Sequence, residues 1–111
     1  MTKEIKIGGV PVKFCGNAAT TFRYKAIFKR DILKDFIEKG TDIDIDEIIE
    51  LAFVLKLQAE GFTNEQFAGV GYADFVAWLE AMDFLDLMNA APEILAVWVD
   101  TNKQTSKAKK K

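Results

Sequence analysis

Histidine is absent from the 111 residues of this chain, and cysteine occurs once, at Cys15. Without histidine the chain lacks the commonest general base and the commonest metal ligand of proteins. A single cysteine excludes an internal disulfide and fits a reducing cytosol. Because no imidazole could activate its thiol, we interpret Cys15 as a small structural residue at the end of a strand rather than as a nucleophile.

Long apolar runs are also absent, although half of the residues are apolar. A membrane-spanning helix needs about 18 consecutive apolar residues, and no stretch comes near that length. The N-terminal residues 1–4 have no apolar segment of the kind that a signal peptide requires. We therefore expect one cytoplasmic domain with a single apolar core and no membrane partner.

Basic residues are almost missing from residues 41–100, which contain thirteen Asp and Glu against one base, Lys56. Residues 1–40 contain nine basic and four acidic residues, and residues 101–111 contain five lysines and no acid. The formal net charge of −2 is thus the sum of three blocks of the chain whose charges alternate in sign. Such segregation concerns association and solubility rather than fold. The acids form either solvated helix faces or the rim of a binding surface.

Residues 4–14 are predicted to form a β-hairpin. Gly8-Gly9 separates two runs in which apolar and polar residues alternate, and two glycines can both adopt positive φ in a tight turn. Pro11 cannot donate a hydrogen bond, so the second strand should have one unpaired side. The apolar positions are Ile5, Ile7, Val10, Val12 and Phe14.

Helical spacing follows the hairpin. Thr20 or Thr21 is predicted to cap a helix that begins near Phe22, and Asp31 a second helix after a break at residues 28–31. Gly40 is expected to end this second helix. The clearest pattern predicts a central helix at about residues 45–60, apolar on both sides and ended by Gly61.

Further helices are expected in the second half. Residues 63–66 match a capping box and predict a short helix that ends at Gly69 or Gly71. A last helix is predicted to begin around Pro92. Between them lies an amphipathic stripe formed by Tyr72, Phe75, Val76, Leu79 and Met82.

The predicted fold is therefore α+β and mostly helical. An N-terminal β-hairpin is followed by four to six helices, which form one domain over residues 1–100. Residues 101–111, which are rich in lysine, are predicted to be a disordered basic tail.

The sequence contains no complete motif for catalysis or ion binding. Asp42, Asp44 and Asp46 have calcium-loop spacing, but Glu47 and Phe53 occupy the positions that need glycine and a bidentate glutamate. We expect no catalytic, cofactor-binding or metal-binding residues, and no enzyme. The lysines of the tail have no interleaved aromatic residues, so nucleic acid is not an expected partner.

Two segments carry a family resemblance. Residues 14–25 and 28–35 combine an Ala-Thr-rich turn, an aromatic-Arg helix, and a phenylalanine followed by Arg-Asp and two aliphatic residues. Together with residues 74–83 and 92–98, they resemble the tail assembly chaperones of long-tailed, siphovirus-type phages and prophages. The likeness covers about residues 3–100. It departs from the family pattern at Lys29, where glycine is usual, and at Ala90-Ala91, where bulkier aliphatic residues are usual.

The resemblance implies a non-enzymatic role in phage tail assembly. Such chaperones bind the tape-measure protein, a very long apolar helical chain, and keep it soluble until tail-tube subunits surround it. A translational frameshift near the end of the shorter frame commonly yields a second, longer form. The resemblance also implies self-association, the tail-tube protein as a second candidate partner, and location in the host cytoplasm but not in the mature virion.

A candidate partner-binding surface lies in the C-terminal apolar segment. Its spacing is helical, and acidic residues flank it. The competing interpretation places the same residues in the core, and both tryptophans, Trp78 and Trp98, are likewise open to either interpretation. The alternative function is a generic cytosolic adaptor or regulatory protein-binding domain. The candidate residues are Phe84, Leu87, Met88, Ile94, Leu95 and Trp98.

Overall fold

The computed structural model describes the backbone of residues 2–110 and the side chains of residues 2–101. Within that range, a two-stranded antiparallel sheet is followed by six α-helices, which confirms the predicted α+β fold. A 3₁₀ turn, Gly40–Asp42, links the second of these helices to the third. The elements are β1 Thr2–Ile7, β2 Val10–Cys15, α1 Thr20–Phe28, α2 Ile32–Lys39, α3 Ile45–Ala59, α4 Asn64–Ala68, α5 Tyr72–Glu80 and α6 Phe84–Lys110.

The hairpin forms where it was predicted. Gly8 and Gly9 connect the strands with φ values of 59° and 81°, a conformation that side-chain-bearing residues adopt at a cost. Ile5 lies opposite Val12, and Lys6 lies opposite Pro11. The face that carries Ile5, Ile7 and Phe14 is buried against the helices, and the opposite face is polar.

Helix α3 is the centre of the domain, as its two apolar sides predicted. Leu51, Val54 and Leu55 are completely buried. The helix packs against β2, α1 and α6. Gly61, with a φ of 81°, follows its last turn.

The break between α1 and α2 is also confirmed. Asp31 accepts a hydrogen bond from the backbone N–H of Lys34 at 3.0 Å and so caps α2. Lys29 ends α1 with a φ of 61°, the left-handed region in which glycine is favoured. Gly40 follows the last residue of α2, as predicted.

The predicted cap of α1 is wrong. Ala19 occupies the capping position, and Thr20 already belongs to the first turn. Asn17 accepts a bond from the N–H of Ala19 at 2.8 Å, so the chain turns into the helix before Thr20. The hydroxyl oxygen of Thr20 instead accepts bonds from the N–H of Asn17 and from Nε2 of Gln58.

The capping box of α4 is formed as predicted. The N–H of Gln66 donates to Oγ1 of Thr63 at 3.1 Å, and the N–H of Thr63 donates to Oε1 of Gln66 at 2.9 Å. Gly69 follows directly after the helix. In α5, by contrast, the predicted stripe is only partly covered, because Phe75 is buried while Tyr72 and Val76 remain exposed.

The predicted start of the last helix at Pro92 is wrong. Helix α6 begins at Phe84, and Pro92 lies inside it. Oδ1 of Asp83 accepts bonds from the N–H groups of Leu85 and Asp86 at 2.9 and 3.2 Å, which provides a complete cap eight residues earlier. Pro92 removes one helical donor, and the burial of apolar residues on both sides of it offsets that loss.

Thr101, the first residue of the predicted tail, belongs to the folded domain. It is 5% exposed, and its hydroxyl donates to the carbonyl oxygen of Val97 at 2.8 Å. The side chains of residues 102–111 lie outside the described residues, so the prediction of a disordered basic tail falls on them and stays a prediction.

Candidate functional site

The structure divides the six residues predicted to bind a partner. Leu87, Ile94, Leu95 and Trp98 are at most 5% exposed and belong to the core, because α6 is continuous and lays this face on α3 and the hairpin. Phe84 is 52% exposed and Met88 is 40% exposed. Phe84 and Met88 can therefore contact a partner, whereas the other four residues belong to the core of the isolated chain.

Phe84 lines a cleft of about 240 Å³ between the start of α6 and the helices α3 and α5. Its apolar wall is largely aromatic, and Tyr72 is 58% exposed beside it. The T-shaped contact between Phe75 and Phe28, with centroids 4.9 Å apart, holds the inner side of the wall in place. The lining residues are Arg30, Asp46, Ile49, Glu50, Tyr72, Phe75, Leu79 and Phe84.

Met88 lines a second cleft of about 360 Å³ between α6 and the first turns of α3. Because Phe84 and Met88 are four residues apart on one helix, they project from the same face of α6, and both clefts lie between α6 and α3. We call the two clefts together the α6 groove. The lining residues of the second cleft are Thr41, Ile43, Ile45, Ile48, Met88, Ala91, Pro92 and Leu95.

Exposed carboxylates lie along the α6 groove. Asp42 and Asp44 alternate in sequence with the residues that line the second cleft, and Asp46 lines the first. Asp83 directly precedes Phe84. An apolar floor with an acidic rim favours a partner that offers apolar and basic side chains together.

The inner end of the first cleft contains a fixed polar cluster. The hydroxyl of Tyr24 donates to Oε1 of Glu50 at 2.6 Å, and both residues are buried. Nε of Arg30 lies 3.7 Å from the same oxygen, and Nη1 of Arg30 lies 3.8 Å from Oε1 of Glu47. Burial, followed by the hydrogen bond to Glu50, raises the pKa of Tyr24, so this hydroxyl remains a donor.

Glu47 is the unusual member of this cluster. It is 2% exposed. Burial, followed by a hydrogen bond between the carboxyl groups of Glu47 and Asp35, raises the pKa of Glu47 to about 7. Around neutral pH the carboxyl group therefore takes up a proton, which reduces the cost of its burial.

The two tryptophans have different environments. Trp98 is completely buried, and its ring meets that of Phe36 edge to face with centroids 5.3 Å apart. Trp78 is half-buried and stacks on Phe53 with centroids 5.7 Å apart. Trp78 also lines a wider cleft of about 540 Å³ between α3 and the α4–α5 segment. That cleft is the alternative to the α6 groove as a partner-binding site.

Sequence reasoning missed a polar network that ties the hairpin to the helices. Nε2 of Gln58 donates to the carbonyl oxygen of Cys15 at 2.6 Å and to Oγ1 of Thr20 at 2.9 Å. Arg23 donates to Oε1 of Gln58 at 3.1 Å and lies 4.2 Å from the ring centroid of Phe67. A glutamine within the apolar helix α3 was the available signal.

Other kinds of site receive no support from the described part of the chain. There, no three or more Cys, Asp or Glu residues are grouped so that they could hold a metal ion. No helix in that part has the length and apolarity to cross a membrane. Comparison of the chain with protein-family models, with curated proteins and with solved structures finds no match. The functional argument therefore rests on the α6 groove and on the sequence resemblance.

Proposed function

We propose that this protein is a non-enzymatic chaperone of phage tail assembly, which binds helical segments of the tape-measure protein and keeps them soluble. The observation that carries the proposal is the α6 groove, in which exposed Phe84 and Met88 adjoin an acidic rim. An amphipathic client helix would place its apolar stripe on these residues, and a flexible methionine accepts stripes of different shape. The net charge of −12 over residues 41–100 would keep the complex dispersed.

The proposal extends to the setting of the chaperone. It would act in the host cytoplasm, self-associate, release its client to the tail-tube protein and be absent from the mature virion. Lys109-Lys110-Lys111 can be encoded by a run of adenines on which a ribosome slips by one base. An open −1 frame after that run, and a very long helical reading frame downstream, would support the phage setting. Mixed AAG codons without a −1 frame would remove the frameshift from the proposal.

The binding test is co-expression with the protein encoded by that downstream frame, followed by affinity co-purification. Phe84→Lys and Met88→Lys should together weaken capture by about tenfold or more, since central apolar contacts contribute most of such binding. Phe22→Lys is the matched control, because Phe22 is 77% exposed and lines neither cleft of the groove. Circular dichroism and melting should match wild type in all variants.

Two results would count against the groove. If Phe22→Lys weakens capture as much as the groove variants, the effect comes from added charge rather than from the groove. If Trp78→Ala abolishes capture while the groove variants retain it, the client lies in the wider cleft between α3 and the α4–α5 segment.

The alternative is an adaptor that uses the same groove for one defined cytosolic partner. The groove suits it equally well in shape, and the resemblance is what favours the chaperone. An adaptor would bind one short segment with a fixed sequence. A chaperone should capture several separate segments of the tape-measure protein with similar affinity, which a peptide array of that protein can measure.

A further inference from the structure

The outer edge of β1 is open for pairing. Ile7 and Val10 flank a two-residue turn, so they exchange hydrogen bonds across the hairpin, and bonded pairs then alternate with non-bonded ones along it. Thr2, Glu4 and Lys6 occupy the non-bonded positions, so their N–H and C=O groups point away from β2. All three residues are exposed, and the described structure gives these backbone groups no partner. Such an edge is a template for another strand.

The outer edge of β2 is closed in two places. Pro11 lies opposite Lys6 at a non-bonded position, so the N–H that it lacks would have pointed outward. At the other end of the strand, the carbonyl oxygen of Cys15 already accepts the side-chain amide of Gln58 at 2.6 Å. An added strand would therefore find the complete set of donors and acceptors on β1 alone.

We infer that β1 pairs with β1 of a second copy of this chain, antiparallel and with the two-fold axis at Ile5, to form a continuous four-stranded sheet. In this register Glu4 of each copy exchanges two backbone hydrogen bonds with Lys6 of the other. The side chains of Glu4 and Lys6 lie on the exposed face of the sheet, so each copy contributes one half of two opposite-charge pairs.

Charge selects this register over its neighbours. Moving the axis to Glu4 would place the two Glu4 side chains directly opposite each other, and moving it to Lys3 would leave Lys6 unpaired. Like charges in directly opposed positions destabilise a strand pair. Of these three alignments, only the one centred on Ile5 places opposite charges in both pairs. The inference rests on the proposed function in that it assigns a surface to its self-association, but it does not depend on client binding, since the α6 groove and β1 share no residue.

The backbone test uses two prolines at one cross-strand pair. Glu4 and Lys13 face each other at a non-bonded position, so Glu4→Pro removes an outward N–H from β1 and Lys13→Pro removes one from β2. Sedimentation equilibrium should show a dimer for wild type and for Lys13→Pro, and a monomer for Glu4→Pro. Circular dichroism establishes that each variant is folded.

The charge test does not disturb the backbone. Lys6→Glu should weaken dimerisation by about tenfold, because it places two glutamates opposite each other twice per dimer. Glu4→Lys combined with Lys6→Glu should restore it, since the pairs are then reversed. In wild type, amide hydrogen exchange at Glu4 and Lys6 should slow as protein concentration rises, while exchange at Lys13 stays constant.

Three results would overturn the inference. The first is a wild-type chain that stays monomeric at its highest soluble concentration. The second is a dimer that dissociates in Lys13→Pro but not in Glu4→Pro. The third is a double charge reversal that fails to restore the dimer. Protection of the Glu4 and Lys6 amides only after addition of the client would assign the edge to an extended segment of the client instead.

Discussion

Gln58 in the middle layer and Cys15 at the end of β2 are joined by a 2.6 Å hydrogen bond, from the side-chain amide of one to the backbone carbonyl oxygen of the other. The same amide nitrogen also reaches Thr20 in α1, and its oxygen accepts from Arg23. One side chain therefore connects three elements, β2, α1 and α3.

Replacing Gln58 by leucine should lower the free energy of unfolding by about 2–3 kcal/mol, because the carbonyl oxygen of Cys15 loses its side-chain donor and Thr20 and Arg23 each lose one of their hydrogen bonds. Chemical denaturation followed by circular dichroism measures the loss. Gln66→Ala is the control: it removes an exposed cap contact and should cost less than about 1 kcal/mol. Equal losses in the two variants would show that the network adds nothing to a simple surface contact.

Lys29→Gly should stabilise the protein by about 0.5–1 kcal/mol, because Lys29 holds a φ of 61° at which a side chain is strained. The exposed bond from its Nζ to the carbonyl oxygen of Ala26 would be lost at little cost. The matched control, Lys25→Gly inside α1, should instead destabilise by about 1 kcal/mol. Thermal melting of both variants is sufficient, and a lower midpoint for Lys29→Gly would contradict the assigned strain.

The buried carboxyl group of Glu47 should make stability fall as pH rises. Its pKa is raised from the usual 4.5 to about 7, so between these values the folded chain holds a proton that the unfolded chain releases. The contribution is complete below pH 4.5, declines by up to about 1.4 kcal/mol per pH unit above it, and is lost beyond pH 7.

Glu47→Gln removes this titration and should flatten the curve of unfolding free energy against pH over the same interval. Urea denaturation at a series of pH values measures it. Asp35→Asn should lower the midpoint of the Glu47 titration without abolishing it, because burial remains the larger cause. A wild-type curve that rises from pH 4.5 to 7 and is unchanged in Glu47→Gln would show that Glu47 ionises normally.

Leu55→Asp should unfold the domain, because Leu55 is completely buried in α3 and an unpaired buried charge costs several kcal/mol. Ile37→Asp provides the comparison, since Ile37 is 75% exposed on α2 and its substitution should leave the melting temperature near wild type. Circular dichroism distinguishes the two. A folded Leu55→Asp variant with wild-type melting would mean that α3 is not the centre of the core.

Features that depend on neighbours in sequence were predictable. Gly8-Gly9, Asp31 and the Thr63–Gln66 box each act within four residues, and all three occur as expected. Where a local signal competed with packing, the prediction was wrong. Pro92 suits the first turn of a helix, yet the burial of Leu87 and Ala91 and the cap at Asp83 extend α6 through it.

The site was harder to anticipate than the fold. Helical spacing grouped six residues of α6, but it could not tell that four of them are buried while Phe84 and Met88 remain exposed. The Tyr24–Glu50 and Gln58–Cys15 bonds join residues 26 and 43 positions apart, and no local pattern encodes such pairs.

The contrast between the tryptophans gives this protein two optical probes. Trp98 has no exposed surface, and its Nε1 has no hydrogen-bond partner in the described part of the chain, so its emission should be blue-shifted. Trp78, half-buried beside Phe53, should emit at longer wavelength and be accessible to iodide or acrylamide. Quenching of the longer-wavelength emission of Trp78 therefore reports on the cleft between α3 and the α4–α5 segment. The shorter-wavelength emission of Trp98 reports on the packing of α6.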